Sequence, residues 1–257
     1  RLDPLITYRL GFHAEYTTSE PLLRDLAQMV QSLRQPFSTH LNETAAEVER
    51  CVARSGMRTI EYLDSFGLFD FGGGGYHCVH LSEREIDILQ SRGMTAITCP
   101  GSNMKLASGV APIYEYLRRG IPVAIGTDGA ASNNCLDFFR EMFLVTGLQK
   151  LRHGAEAVDA TDVLTMACGN GAYVCGFDDC DCLAAGKQAD LILLDLNQPN
   201  MQPLNNIEKN VVYSGSKRNV SLVMIAGKIL YERGEFFIGD DPERIYAEAN
   251  RIIRAMK

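Results

Sequence analysis

The sequence lacks the features with which proteins bind membranes and nucleic acids. No apolar run reaches the ~18–20 residues that a membrane-spanning helix requires. The 25 lysines and arginines are outnumbered by 32 aspartates and glutamates, so the net charge is −7. A protein that binds a phosphate backbone needs clustered positive charge, and this chain has no excess of it. We therefore expect neither a bilayer nor a nucleic acid as a partner.

The sequence also lacks paired cysteine motifs, although it contains eight cysteines in 257 residues. Only Cys180 and Cys182 are close together, and the C-x-C spacing differs from the C-x-x-C knuckles of structural zinc sites. Most of the other cysteines lie singly in apolar stretches, where cysteine behaves as a small hydrophobic residue. This usage predicts reduced thiols in a cytoplasmic protein. The glycine run at 72–75 is not followed by the Gly-Lys-Ser/Thr of a phosphate loop, so we expect a flexible connector there.

Residues 1–185 alternate short apolar runs with amphipathic segments of helical spacing. The first helical segment begins at a Ser cap, and the three that follow end at glycines. Strands follow these segments within a few residues, which is the pattern of β–α units in a parallel sheet. The polar residues at the predicted strand ends recur every 23 to 37 residues, about the length of one such unit. They are His13, His40, His77, about Pro100, and Asp128.

Three of the five histidines, together with Asp128, therefore fall at the C-terminal ends of predicted strands. In a (β/α)8 barrel the loops at this edge converge on one cavity, and catalytic groups gather there. Imidazoles and carboxylates from separate strands are suitable ligands for Zn²⁺ or Fe²⁺. The pattern predicts a metal site at this edge of an α/β protein.

The pattern changes after residue 185. Residues 186–238 contain apolar stretches and glycine turns typical of antiparallel strands and hairpins. Within them, residues 210–236 are predicted to form such strands. Residues 239–257 predict a terminal helix that begins at an Asp-Asp-Pro sequence. The expected fold class is α/β: a partial (β/α)8 barrel at 1–185, a small β-domain at 186–238 and the helix at 239–257.

At these residues the sequence resembles the amidohydrolase superfamily. The resemblance is strongest to its 5′-methylthioadenosine/S-adenosylhomocysteine deaminases and related chlorohydrolase-like proteins, and it covers essentially the whole chain. It implies metal-dependent hydrolytic deamination of an adenine nucleoside with release of ammonia. A guanine or pterin deaminase, a triazine-type chlorohydrolase and a catalytically inactive fragment remain alternatives. The segments that carry the resemblance are GFHAEYTTS, THLNETAAE, YHCVHLSE, SNMKLASGVAP and GTDGAASNN.

The resemblance implies a role for each candidate residue. His40 and Asp128 correspond to metal ligands, and Asp128 also transfers a proton. His77 corresponds to a histidine that contacts the attacking oxygen, and it is the third candidate metal ligand of this chain. Glu43 corresponds to the acid that protonates a ring nitrogen, and His13 to a residue that contacts the nucleoside. Zinc is the expected metal, with iron as the alternative.

The sequence departs from the family pattern in two respects. It contains no His-x-His pair, which supplies two metal ligands in the family, and Thr98 stands where the family usually has histidine. With only about five barrel strands, the chain is expected to be the C-terminal part of a longer enzyme and to bind metal weakly by itself. We expect the open half-barrel to be closed by an N-terminal segment or by a second copy. The remaining histidines, His80 and His153, are expected to be structural or exposed, and Ser102 and Asn103 to shape a loop.

Overall fold

The computed structural model describes residues 5–256, which form an α/β fold with two sheets. The first sheet is entirely parallel, and its strands follow one another in sequence order from one edge to the other. The prediction of consecutive β–α units in a partial barrel is thereby confirmed. The five strands are β1 (Leu10–Ala14), β2 (Phe37–Leu41), β3 (Gly73–His77), β4 (Met94–Thr98) and β5 (Val123–Ile125).

Helices follow these strands, and their ends obey local capping rules. In the second helix, for example, the Thr44 hydroxyl accepts a hydrogen bond from the backbone N–H of Glu47, and Gly56 ends the helix at φ 75°. The helices in this part of the chain are α1 (Glu20–Leu33), α2 (Ala45–Ser55), α3 (Thr59–Asp64), α4 (Glu83–Ser91), α5 (Pro100–Lys105), α6 (Ile113–Arg118), α7 (Ala130–Asn133), α8 (Phe138–His153), α9 (Ala160–Ala167) and α10 (Gly169–Cys175). None of the helices within residues 5–256 is long and apolar enough to span a bilayer.

The hydrophobic core lies between the parallel sheet and its helices. Phe37 and Leu41 of β2 are fully buried, together with Ile60 and Leu63 of α3. Tyr116 of α6 is also fully buried, and its hydroxyl donates a 2.6 Å hydrogen bond to the carbonyl of Cys78. The opposite face of the sheet borders an open cavity of about 570 Å³. The core thus packs against one face of the sheet, while α10 borders the cavity on the other face.

The glycine run is not a flexible connector, and that prediction was wrong. Gly73, Gly74 and Gly75 are the first three residues of β3 and pair with both neighbouring strands. Their lack of side chains is a packing requirement, since a Cβ atom at Gly73 would lie 1.8 Å from the carbonyl oxygen of Phe37. Glycine has a low strand propensity, but it is required where the backbone of a neighbouring strand approaches too closely for a side chain.

The second sheet is antiparallel and four-stranded. It agrees with the predicted antiparallel strands and hairpins, except that residues 210–213 belong to a helix rather than a strand. Asn206 caps this helix by accepting a hydrogen bond from the N–H of Lys209, and Val212 is buried against the core. Tertiary packing therefore overrides the β propensity of the two adjacent valines. The elements are β6 (Leu191–Leu194), α11 (Ile207–Tyr213), β7 (Val220–Ile225), β8 (Lys228–Glu232), β9 (Glu235–Phe236) and the terminal helix α12 (Pro242–Ala255).

The first prediction concerns the glycine strand. Gly73→Ala should destabilise the protein by about 3 kcal/mol or more, because φ is 134° and the new Cβ would overlap the β2 backbone. Gly147→Ala in the interior of α8 is the matched control, because nothing lies within 4 Å of its Cβ position. That control should gain about 0.5–1 kcal/mol through helix propensity. Urea unfolding midpoints measure both effects, and equal midpoints for the two variants would contradict this account.

A second prediction concerns the thiols, all eight of which are free. Burial raises the pKa of the Cys99 thiol to about 12 and also raises that of Cys78. In the native protein an alkylating reagent should therefore modify the exposed Cys175 and Cys182 and spare Cys78 and Cys99. Peptide mass spectrometry before and after unfolding measures the pattern. Labelling of Cys78 at the rate of Cys182 in the native state would contradict it.

Candidate functional site

Three histidines predicted on separate strands form a continuous row at the C-terminal edge of the parallel sheet. The rings of His13 and His40 have centroids 4.9 Å apart. The rings of His40 and His77 are 5.1 Å apart and nearly parallel, with an interplanar angle of 29°. The row follows from strand register, since Ala14 pairs with His40, and Leu41 pairs with His77. The structure thus brings together the three histidines that the sequence pattern placed at this edge.

The environment of His40 fixes its tautomer. Its Nδ1 lies 2.6 Å from the carbonyl oxygen of His13, and a carbonyl only accepts, so Nδ1 carries the hydrogen. In the neutral ring Nε2 then holds the lone pair. Burial lowers the pKa of His40, and the neighbouring His77 lowers it further, so the ring is neutral at pH 7. A neutral imidazole with a defined lone pair is the form that binds metal ions.

Asp128 lies three residues beyond β5, and both of its carboxylate oxygens accept hydrogen bonds. Oδ2 accepts from the Ser102 hydroxyl at 2.6 Å, and Oδ1 accepts from the Gly129 N–H at 2.6 Å. Burial by itself would raise the pKa of Asp128, but these bonds and the nearby His77 together lower it below its usual value. Asp128 is therefore ionised at neutral pH, with lone pairs left on both oxygens.

Glu43 and His77 form a second pair beside His40. His77 is 1% exposed, and its Nδ1 lies 2.7 Å from the side-chain oxygen of Asn103, so Nδ1 carries a hydrogen. Its Nε2 faces Oε2 of Glu43 at 3.8 Å. The other Glu43 oxygen accepts a 3.1 Å hydrogen bond from the Ser108 hydroxyl. Glu43 therefore has one oxygen held by the protein and one directed toward the row of histidines.

The backbone at this edge is strained where the strands end. Several residues other than glycine have positive φ, a conformation that costs of order 1 kcal/mol or more for such residues. Buried contacts hold it in place: the Asn42 side chain donates to Glu85 at 2.9 Å, and the N–H of Asn42 donates to Glu47. Such strain is concentrated at functional sites in proteins. The residues are Asn42 (φ 50°), His77 (φ 68°), Cys78 (φ 48°) and Asp128 (φ 64°).

Sequence reasoning missed some of the contacts at this edge. Ser102 and Asn103 were expected only to shape a loop, yet they bond directly to Asp128 and His77. Ser108, which lies in the same segment SNMKLASG, bonds to Glu43, a contact that no local pattern in the sequence indicates. Thr98 is buried at the end of β4, where its carbonyl accepts from the N–H of Gly126.

The remaining histidines have the structural or exposed roles expected of them. The Nε2 of His80 lies 2.7 Å from the Ser108 carbonyl, and His153 is exposed and stacks on Tyr114. Among residues 5–256, no group of three or more His, Cys, Asp or Glu side chains is arranged to hold a metal ion.

Residues 1–230 match the family model described as the amidohydrolase family. The chain belongs to the amidohydrolase family. It is 38% identical over 256 residues to a 5-methylthioadenosine/S-adenosylhomocysteine deaminase of Dictyoglomus thermophilum, an alignment that covers 99% of this chain and 60% of the relative. It is 41% identical over 234 residues to a 5'-deoxyadenosine deaminase of Methanothermobacter thermautotrophicus, covering 91% of this chain and 55% of the relative. The chain thus spans about 60% or less of the length of these amidohydrolases.

Solved amidohydrolase structures have the same fold. An adenosine deaminase from Xanthomonas campestris with bound zinc superposes with a TM-score of 0.92 at 36% identity, covering 98% of this chain and 57% of that one. An atrazine chlorohydrolase from Arthrobacter aurescens complexed with zinc superposes with a TM-score of 0.87 at 24% identity, covering 95% and 54%. The second likeness establishes the fold alone.

The third prediction concerns the hydrogen bond from Ser102 to Asp128. If Asp128 is a zinc ligand in the complete gene product, Ser102→Ala should lower the affinity for zinc about 10-fold, because outer partners of metal ligands typically contribute 10–100-fold. Competition with a chromogenic chelator measures the affinity. Ser91→Ala is the control, since the Ser91 hydroxyl bonds only to the carbonyl of Ile88 in its own helix. Equal zinc affinities for the two variants would show that Ser102 does not support a metal ligand.

Proposed function

We propose that the complete protein to which this chain belongs is a metal-dependent hydrolase that deaminates an adenine nucleoside. Methylthioadenosine, S-adenosylhomocysteine and adenosine are the proposed substrates, and ammonia is released. Two relatives are named as deaminases of such nucleosides. The observation that carries the proposal is the arrangement at the sheet edge: a neutral imidazole, an ionised carboxylate and a separate Glu–His pair.

The donor set at this edge suits a divalent metal, and zinc is the metal we propose. His40 offers the Nε2 lone pair, because its Nδ1 hydrogen bonds to the His13 carbonyl. Asp128 offers a carboxylate oxygen, and His77 lies within 5.1 Å of the His40 ring as a further candidate. Nitrogen and carboxylate ligands of this kind are those that catalytic zinc takes. When bound, such an ion supplies the means to lower the pKa of a water molecule toward neutrality.

The side chains around these ligands supply proton transfer and orientation. We assign to Glu43 the proton delivered to a ring nitrogen of the purine, because Ser108 holds one of its oxygens and leaves the other directed inward. Asp128 accepts a proton from the attacking water and passes it to the departing amine, which leaves as ammonia. The second proton of that water returns to Glu43 as the carbonyl forms. His77, fixed by Asn103, orients the attacking oxygen with Nε2. His13 is exposed beside His40, where a nucleoside can contact it.

The domain boundaries and the association state are also proposals. We propose that residues 1–185 belong to the barrel, 186–238 to the small β-domain and 239–257 to the terminal helix. Within residues 5–256, β1 and β5 each pair on one side only, and parallel sheets avoid open edges. We propose that the rest of the complete protein, or a second copy in a homo-oligomer, covers these edges. A cytoplasmic location stays a prediction.

The fourth prediction tests this function on the complete gene product with zinc. Methylthioadenosine, S-adenosylhomocysteine and adenosine should lose their adenine absorbance and release ammonia, whereas guanine, a pterin and a triazine should not react. Glu43→Gln should lower kcat about 100-fold or more, because general acid catalysis typically contributes 10²–10⁴-fold. It should retain bound zinc, since Glu43 is not among the proposed ligands.

Glu49→Gln is the matched control, because Glu49 is an exposed glutamate of α2, six residues after Glu43 in the chain. Its turnover should equal that of the parent protein. Deamination of guanine alone, or chlorotriazine hydrolysis alone, would overturn the substrate assignment. Full activity of Glu43→Gln would overturn the assignment of the acid.

A further inference from the structure

A buried glutamate, Glu141, lies outside the candidate site. It forms hydrogen bonds with two loops that carry residues of that site. Glu141 lies in α8 with no exposed surface. Its Oε2 accepts a 2.8 Å hydrogen bond from the N–H of Gly101, and its Oε1 accepts a 2.7 Å bond from the side-chain amide of Asn133. A carboxylate that loses a partner in a buried position is costly, by several kcal/mol in general. Loss of either hydrogen bond would therefore be costly.

Each of the two groups that Glu141 contacts is close in sequence or by a hydrogen bond to a proposed site residue. Gly101 lies in the first turn of α5, and the next two residues bond to Asp128 and His77. Asn133 also donates a 2.8 Å hydrogen bond to the carbonyl of Thr127, the residue before Asp128. One carboxylate thus joins the loop after β4 to the loop after β5.

The absence of a side chain at position 101 keeps the first contact short. A Cβ atom at Gly101 would lie 2.4 Å from Oε1 of Glu141 and 2.9 Å from the amide nitrogen of Asn133. No larger residue fits there unless the carboxylate moves. The backbone of α5 is therefore held directly against Glu141 rather than through an intervening side chain.

We propose that Glu141 is a positioning residue for this site. Its carboxylate holds the first turn of α5 and the Thr127 carbonyl in one arrangement, so that Ser102 meets Asp128 and Asn103 meets His77. The predicted effect of Glu141 on turnover rests on the proposed function. Its effect on the His77 hydrogen bond stands independently, because that bond is present without substrate or metal.

Glu141→Gln tests the proposal, since glutamine has a similar shape but only one acceptor oxygen for two donors. In the complete gene product with zinc, kcat should fall about 10–100-fold, as is typical for outer-shell partners, with KM changed by no more than about twofold. In the metal-free protein, the downfield proton resonance of His77 Nδ1–H should weaken or shift as its bond to Asn103 loosens. Glu141→Asp, which keeps both acceptors, should retain part of the activity.

Asp64→Asn is the matched control. It makes the same carboxylate-to-amide change at a residue of α3 that bonds to Arg92, the residue that follows α4, away from these loops. It should leave kcat and the His77 resonance unchanged even if stability falls. If Glu141→Gln does not fold, Gly101→Ala displaces the same carboxylate and should have the same two effects.

An unchanged kcat and an unchanged His77 resonance in a folded Glu141→Gln protein would overturn the proposal. The same changes in Asp64→Asn would also overturn it, because they would show a general response to lost stability. If the complete protein deaminates none of the nucleosides, the proposed function fails. The His77 resonance then still decides whether Glu141 positions α5.

Discussion

The parallel pairing of five strands in sequence order is the constraint on which the candidate site depends. Because every strand runs the same way, every loop that follows a strand opens at the same edge. Register then aligns residues far apart in sequence: Ala14 pairs with His40, and His40 pairs with Tyr76. A shift of one residue in β2 would turn the His40 ring to the opposite face of the sheet. The register of the strands, rather than the conformation of the loops, therefore positions the row of histidine rings.

Buried glutamates on the helices also hold the loops of the site in place by hydrogen bonds. Glu47 accepts hydrogen bonds from backbone N–H groups at the end of β2, and burial raises its pKa although those bonds oppose the shift. Glu85 accepts from Asn42, Arg58 and the N–H of Ile60. These two glutamates, like Glu141, project from helices toward the ends of strands. The loops of the site are therefore held by helices that belong to the core.

Much of this arrangement follows from sequence periodicity, and the remainder depends on tertiary contacts. The positions of His40 and Asp128 at one edge could be predicted, because strand–helix spacing fixes which end of each strand a residue occupies. The strand at Gly73–Gly75 could not, since propensity rules count against glycine and the adjacent β2 backbone that requires it is 36 residues away. Likewise, the bond from Ser102 to Asp128 spans 26 residues, and no local pattern indicates it.

The glycine strand also allows α10 to approach the inner face of the sheet. A Cβ atom at Gly74 would lie 2.7 Å from Ile97 and 3.0 Å from Val174, so α10 rests directly on the bare inner surface of β3. Tyr76 is two residues further along, about 7 Å at the rise of a parallel strand, and its ring lies 5.2 Å from that of His40. Val174 of α10 and Tyr76 of β3 both line the open cavity of about 570 Å³ on this face of the sheet. A small molecule that fills this cavity would therefore contact α10 as well as the strand that carries His77.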